Sequence, residues 1–372
     1  MKLGIVGWRG MVGQVLMARM LEEGDLNHFD TTFFSTSNAG GEHPFKQLNK
    51  ADPKLKDAHN IDELKKMDII VTCQGGDYTK KVFKDLRNAG WKGYWVDAAS
   101  AIRMDKDSTI ILDPVNLHVI KKALKEGKKD FIGGNCTVSL MLLALGGLFK
   151  ANQIEWMTSM TYQAASGGGA RHMNELLSQM KYYTDRVMDK GTNLSERILE
   201  VEKNVTGLMS DAAFPKENFG VALAANLIPW IDSDLENGQS REEWKASAEG
   251  NKILETTNMI PIDGTCVRVG SMRCHAQALT IKLKKDIPMD EIEMILAEHN
   301  PWVKVVANNK TDSIKYLTPQ YASGKLEVPV GRLRKMYMGN DYLNAFTVGD
   351  QLLWGAAEPL RRMLHIILEN NT

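Results

Sequence analysis

Cys136 lies in Gly133-Gly134-Asn135-Cys136-Thr137-Val138-Ser139-Leu140-Met141, between a Gly-Gly turn and an apolar run that reads as a buried helix. A thiol at such a junction faces the positive end of the helix dipole and backbone N–H groups with no helical partner. That setting favours the thiolate, the nucleophilic form of cysteine. The chain also opens with a dinucleotide-type glycine loop, Gly7-Trp8-Arg9-Gly10-Met11-Val12-Gly13. A reactive thiol together with a nicotinamide cofactor points to aldehyde oxidation, or acyl reduction, through a thioester.

His275, in Arg273-Cys274-His275-Ala276-Gln277, is the leading base candidate for that thiol. Arg268 precedes it by seven residues, a separation that on one regular strand puts the two on opposite faces. Gly270-Ser271 between them can bend the chain and let both reach one pocket, while Cys274 points away from His275. Cys266, Cys274 and His275 do not have a zinc-site spacing, so no metal is expected. The run Gln163-Ala164-Ala165-Ser166-Gly167-Gly168-Gly169-Ala170 follows a strand and precedes a helix. Its glycines let backbone lie against a flat ligand such as nicotinamide, although a flexible hinge has the same composition. Arg103, just beyond a sheet strand, stands where α/β sheets bind ligands and can fork onto phosphate or carboxylate. Glu242 and Lys245 share one helix face, and by themselves read as a solvated surface ion pair.

The glycine loop follows a strand and opens a helix, as a pyrophosphate cradle requires. At the end of the next strand, where NAD enzymes usually carry a carboxylate for the ribose hydroxyl, the chain has Ser35-Thr36-Ser37. Hydroxyls there, with Arg9 nearby, suit a 2′-phosphate, and NADP is the expected cofactor.

The elements that must position these residues follow from patterning. Short apolar strands near 3–7, 32–34, 68–72, 93–97 and 109–112 alternate with amphipathic helices such as Thr79–Ala89, the pattern of a Rossmann-type, doubly wound parallel sheet. After Cys136 the pattern changes to that of an α+β domain with a more antiparallel sheet, with strands at Trp156–Tyr162, Cys266–Val269 and Ala276–Leu283. A last helix, Asp350 to about Leu368, carries an apolar stripe that returns to the first domain. The expected division is 1–133 plus 357–372 for the cofactor and 134–356 for catalysis and dimerisation. Residues 185–230 have weak periodicity and receive no assignment.

With 372 residues, two domains are the natural expectation. Net charge is zero with no basic block, which argues against nucleic acid or an anionic membrane as partner. The longest apolar run, Val138 to Phe149, is shorter than the roughly 18–20 residues of a spanning helix. Four cysteines make no disulfide framework, consistent with a reducing cytoplasm.

Taken together, these residues resemble the aspartate-semialdehyde dehydrogenase family nearly end to end, most closely its bacterial Gram-negative branch. The motifs that carry the likeness are Gly7–Gly13, Phe33–Ser37, Thr72–Gly76, Gly133–Thr137, Tyr162–Gly169, Arg241–Lys245, Arg268–His275 and Val348–Gln351. The resemblance implies that Cys136 attacks the aldehyde, His275 takes the thiol proton and Gln163 orients the intermediate. Arg268 would grip the substrate carboxylate and Glu242 its amino end. Arg103, Asn135, Lys245 and Ser100 would bind inorganic phosphate. Gly7, Arg9, Gly10, Met11, Val12, Gly13, Thr36, Ser37, Gln74, Ser166, Gly167 and Gln351 would form the NADP site. A homodimer is implied, as is reductive dephosphorylation of aspartyl phosphate in lysine, threonine, methionine and diaminopimelate synthesis. A related acyl-phosphate reductase or phosphorylating aldehyde dehydrogenase is the near alternative. A cysteine hydrolase or acyltransferase and a non-catalytic NADP sensor are the more distant ones.

Overall fold

The structure is a computed structural model and describes residues 1–46, 48, 50–188 and 194–370 of the chain. Its first sheet is built from β1 (Lys2–Val6), β2 (Asp30–Ser35), β3 (Lys56–Asp57), β4 (Ile69–Thr72), β5 (Tyr94–Asp97), β6 (Ser108–Ile111) and β7 (Asp130–Gly133). These seven strands lie in the order β3-β2-β1-β4-β5-β7-β6, and every pair is parallel. Continuous apolar runs such as Ile69-Ile70-Val71 arise because both faces are covered. Leu3 and Ile5 pack into the core on one face, and Val6 joins Phe34, Ile70 and Trp95 on the other. The strand order reverses beside β1, so the crevice between diverging loops opens at the carboxyl ends of β1 and β4.

The helix Glu358–Asn370 closes one face of this sheet, burying Leu360, Leu364 and Ile367 in the same core as Leu3, Ile5 and Leu16. Buried charges fix its position. Arg361 Nη1 donates to both oxygens of Asp25 at 3.0 Å, and Arg19 Nε donates to Glu358 at 3.2 Å. The helix starts later than the expected Asp350. A π-turn, Leu353–Ala357, comes first. Asp350 instead stays outside the helix, accepting the N–H groups of Gly324 and Leu352 and pairing with Arg273.

The second sheet comprises β8 (Ile154–Gln163), β9 (Leu227–Ile228), β10 (Ile262–Asp263), β11 (Cys266–Val269), β12 (His275–Leu283), β13 (Val303–Val305), β14 (Val328–Met336) and β15 (Gly339–Gly349). Its order is β13-β14-β15-β12-β8-β11-β9, with β10 also on β8. The long pairings of β12 with β8 and β15 and of β14 with β15 are antiparallel. The helix Cys136–Lys150 packs against this sheet and is buried from Thr137 through Phe149, which explains its lack of a polar face. In the unassigned stretch the structure places the end of helix Ala170–Val187, the helix Ile198–Met209 and β9; residues 189–193 lie outside the described residues, as do 371 and 372. No residue of Ile198–Met209 is fully buried, which accounts for its weak periodicity. Among the described residues no helix is long and apolar enough to cross a membrane.

Candidate active site

Strand β7 ends at Gly133, and Asn135 caps the helix that follows. Asn135 Oδ1 accepts the N–H groups of Thr137 and Val138 at 3.0 and 3.2 Å, so Cys136 is the first helical residue. The thiol therefore sits at a helix N-terminus, but the expected bias toward thiolate is overturned. Burial, and after it the Glu242 carboxylate, push the Cys136 thiol up to about 12, against the pull of Lys245 and Arg268. Desolvation of an anion by surrounding protein outweighs the partial charge of one helix end. With the thiolate scarce at neutral pH, alkylation of Cys136 by iodoacetamide is expected to rise about tenfold per pH unit between pH 6 and 9. Mass spectrometry of the Cys136 peptide measures this, and a plateau below pH 8 would contradict it.

Cys136 opens onto a cavity of about 520 Å³ between the carboxyl ends of the first sheet and the second sheet. The second sheet brings three predicted residues into line. Gln163, at the end of β8, is paired with Arg268 of β11 on one side and His275 of β12 on the other. The segment containing Gly270 and Ser271 crosses the end of β8, where Ser271 and Met272 carbonyls accept the N–H groups of Ala165 and Ser166. Gln163 and Arg268 line the cavity, and His275 lies behind them with no exposed surface. His275 Nδ1 accepts the Ala164 N–H at 3.1 Å, which leaves the proton of a neutral ring on Nε2. Nε2 is buried without a partner, and a Cβ at Gly167 would come within 3.1 Å of it. Burial, then the charge of Arg268, lowers His275 to about 3, so the ring is neutral throughout the physiological range. Arg268 Nη1 donates to the Ala164 carbonyl at 2.8 Å, and no ion pair among the described residues neutralises it. Cys274 packs with Ala276, Ala322 and Val348, and its N–H donates to Gln351 Oε1 at 2.7 Å. The Gln351 amide also bonds the Ser166 hydroxyl, and both residues line the cavity with Gly167.

The helix Arg241–Leu254 supplies the opposite wall. Ser240 and Glu243 form a capping box, which commits Glu243 to the helix start. Glu242, one position earlier, faces the cavity instead. Its Oε1 accepts from Asn135 Nδ2 at 3.0 Å and Gln163 Nε2 at 3.2 Å, and its Oε2 pairs with Lys245 Nζ at 2.9 Å. The surface-pair reading of Glu242 and Lys245 is thus wrong, since they are 6% and 8% exposed. Lys245, Asn135 and Gln163 hold Glu242 ionised, below its usual range despite burial. Arg103 Nη1 pairs with Glu249 Oε1 at 2.9 Å, and Glu249 Oε2 accepts the Asn135 N–H at 2.8 Å. Arg103 Nε is buried with no partner, and Ser100 lines the cavity nearby. Three residues here carried no sequence-level signal. Glu249 and Asp232 act through tertiary pairing, and Gly355 lies so close that a Cβ on it would meet Cys136 Cβ at 2.5 Å.

Five of the predicted cofactor residues, Gly7, Arg9, Gly10, Thr36 and Gln74, line an adjoining cleft of about 250 Å³, while Met11, Val12, Ser166, Gly167 and Gln351 line the main cavity. Two glycines of the loop, Gly7 and Gly13, have no room for a side chain. Gly7 has φ 76° and sits against Gln74, and a Cβ on Gly13 would lie 2.1 Å from the Gly7 carbonyl oxygen. Gly10 caps the helix Met11–Glu22 without a side-chain bond, leaving N–H groups free for a phosphate. Arg9 Nη2 donates to Ser35 Oγ at 2.9 Å and Ser37 Oγ at 2.8 Å. This donor set, with a serine and no carboxylate at the end of β2, fits a dinucleotide bearing a 2′-phosphate. Among the described residues no His, Cys, Asp and Glu group could hold a metal ion.

Residues 2–123 match the family described as semialdehyde dehydrogenase, NAD binding domain, and residues 145–354 match semialdehyde dehydrogenase, dimerisation domain. With the aspartate semialdehyde dehydrogenase of Francisella tularensis the chain shares 50% identity, covering 99% of itself and 100% of that chain, with a TM-score of 0.95. The chain belongs to the aspartate-semialdehyde dehydrogenase family. More distant members share its fold. Aspartate semialdehyde dehydrogenase II of Vibrio cholerae, complexed with ASA, is 22% identical over 99% of this chain and 98% of that one, with a TM-score of 0.78. The Candida albicans enzyme, solved with NADP, is 17% identical over 100% and 99%, with a TM-score of 0.66.

Proposed function

We propose that this chain is an NADP-dependent, phosphorylating aspartate-semialdehyde dehydrogenase that interconverts L-aspartate 4-semialdehyde and L-4-aspartyl phosphate through a thioester on Cys136. The observation that carries this reading is the shared cavity, where a thiol on the first residue of a helix lies with a buried arginine that has no carboxylate partner and with a second group of cations, Arg103 and Lys245. The two anions of the reaction, the substrate carboxylate and phosphate, need two sets of cationic donors, one unpaired at Arg268 and one ion-paired at Arg103 and Lys245. Arg268 takes the carboxylate, and Glu242, held ionised, takes the ammonium group. Arg103, Lys245, Asn135 and Ser100 receive phosphate.

NADP, held by Arg9, Thr36, Ser37, Gln74, Ser166, Gly167, Gln351 and the loop Gly7 to Gly13, supplies the hydride acceptor, and in the reverse direction the donor. The chain's own work is to form and break one C–S bond. Sulfur of Cys136 adds to the aldehyde carbon, and later leaves as thiolate when a phosphate oxygen bonds the thioester carbon. Gln163, fixed by Glu242 and Thr161, orients the group on sulfur. His275 is the neutral base beside Gln163. Accepting the thiol proton on Nε2 requires the tautomer protonated on Nδ1, which gives up the Ala164 hydrogen bond and leaves buried donors unpaired, at about 1–3 kcal/mol for each.

The division of tasks follows 1–133 plus 357–372 for NADP and 134–356 for chemistry. We place a homodimer contact on the second sheet, whose β8 exposes Met160 and Tyr162 between buried neighbours. The deciding assay follows absorbance of reduced nicotinamide with semialdehyde, NADP and inorganic phosphate, omitting each in turn. NADPH formation that needs all three, and is slower with NAD, is the expected result. Absence of signal from the folded chain would exclude the substrate assignment.

A further inference from the structure

Among the described residues, Lys245 is the one cavity cation held by two carboxylates. Its Nζ lies 2.9 Å from Glu242 Oε2 and 2.7 Å from Asp232 Oδ2. Arg103 has one carboxylate partner, Glu249, and Arg268 has none. The Lys245 cluster therefore carries a net negative charge, which repels an arriving phosphate.

The two carboxylates are held differently. Glu242 is locked by Asn135 and Gln163 as well as Lys245, and its side chain is 7% exposed. Asp232 stands on the loop between β9 and the helix Arg241–Leu254, lines the cavity, and has a side chain 29% exposed. Among the described residues its carboxylate accepts one other hydrogen bond, from the Ser233 N–H at 2.8 Å. Its backbone is left-handed, with φ 74°, a conformation that costs energy in a non-glycine residue and is held here by the surrounding contacts. Asp232 is thus the partner that can be displaced without dismantling the substrate wall.

We propose that Asp232 determines the specificity of the anion subsite, its carboxylate holding Lys245 until phosphate displaces it. This inference rests on the reading of Lys245 as a phosphate ligand. It makes Asp232 an internal competitor: weakly bound anions do not open the pair, and a dianion that also engages Arg103 does.

Asp232→Asn tests it, because asparagine tolerates the left-handed backbone and keeps an acceptor for Ser233. Inorganic phosphate binding is measured by calorimetry on the full chain, alongside half-saturation for phosphate and for semialdehyde in the NADP assay. Removing the competing charge is expected to tighten phosphate by about three- to tenfold, with semialdehyde half-saturation unchanged. In a Lys245→Met background the same substitution should change phosphate binding little. Phosphate binding that is equal in the two proteins, weaker in the variant or absent from both overturns the proposal. So does a selective loss of semialdehyde affinity, which would put Asp232 on the ammonium group. Absence of NADPH formation by the unaltered chain is a separate result and counts against the proposed reaction.

Discussion

Cys136→Ala is expected to abolish NADPH formation, by on the order of 10⁴-fold or more, while leaving NADP affinity within about twofold. The two effects separate because the cofactor residues at the Arg9 end sit in a different cleft from the thiol. The thiol opens into the main cavity, and Arg9, Thr36 and Gln74 line the adjoining one. Alanine keeps the Cβ against which Gly355 packs, so the start of the helix Cys136–Lys150 has no reason to move. Quenching of tryptophan fluorescence by NADP reads the affinity, and steady-state rates read the chemistry. A variant that retains more than a few per cent of turnover would remove the covalent route. A variant that loses NADP binding as well would mean that Cys136 supports the fold.

Arg268→Ala should raise the semialdehyde half-saturation by about a hundredfold or more, with a smaller effect on phosphate. A buried, charge-assisted grip on a carboxylate is worth about 3 kcal/mol or more when one partner is removed. Arg268 is 8% exposed, bonds a backbone carbonyl rather than a carboxylate, and is destabilised as a cation by burial. Such a group gains most from an incoming anion. Equal half-saturation for semialdehyde in variant and parent would take Arg268 out of that role. Melting temperature is the control, since loss of the bond to Ala164 could loosen the Ala164–Gly169 loop.

Local features were legible in the sequence. The glycine loop, the parallel strands, the buried helix after Cys136 and the strand at Trp156–Tyr162 all depend on neighbours within a few residues. The hairpin of β14 and β15 carried no assignment, and the last helix was begun too early because its apolar stripe continues through the π-turn that precedes it. Electrostatic properties were read least well. Glu242 and Lys245 have the spacing of an exposed pair, and only Asn135 and Gln163, far away in the chain, show that they are buried. The acidity of Cys136 was misjudged for a related reason. The helix dipole can be read from nearby residues, but burial by distant segments and the repulsion of the Glu242 carboxylate cannot. Glu249 and Asp232 are ordinary surface residue types until tertiary contacts join them to Arg103 and Lys245.

The helix Glu358–Asn370 also bears on synthesis. Its apolar face shares a core with Leu3, Ile5 and Leu16, yet roughly two hundred residues separate it from β7. At about 5–20 residues per second, the ribosome takes on the order of ten to forty seconds to make the intervening chain. Throughout that interval one face of the finished parallel strands lacks its cover, and Asp25 lacks the guanidinium of Arg361. The nascent first sheet is thus a waiting surface, a natural client for chaperones, and it becomes self-sufficient only after the second domain has left the exit tunnel.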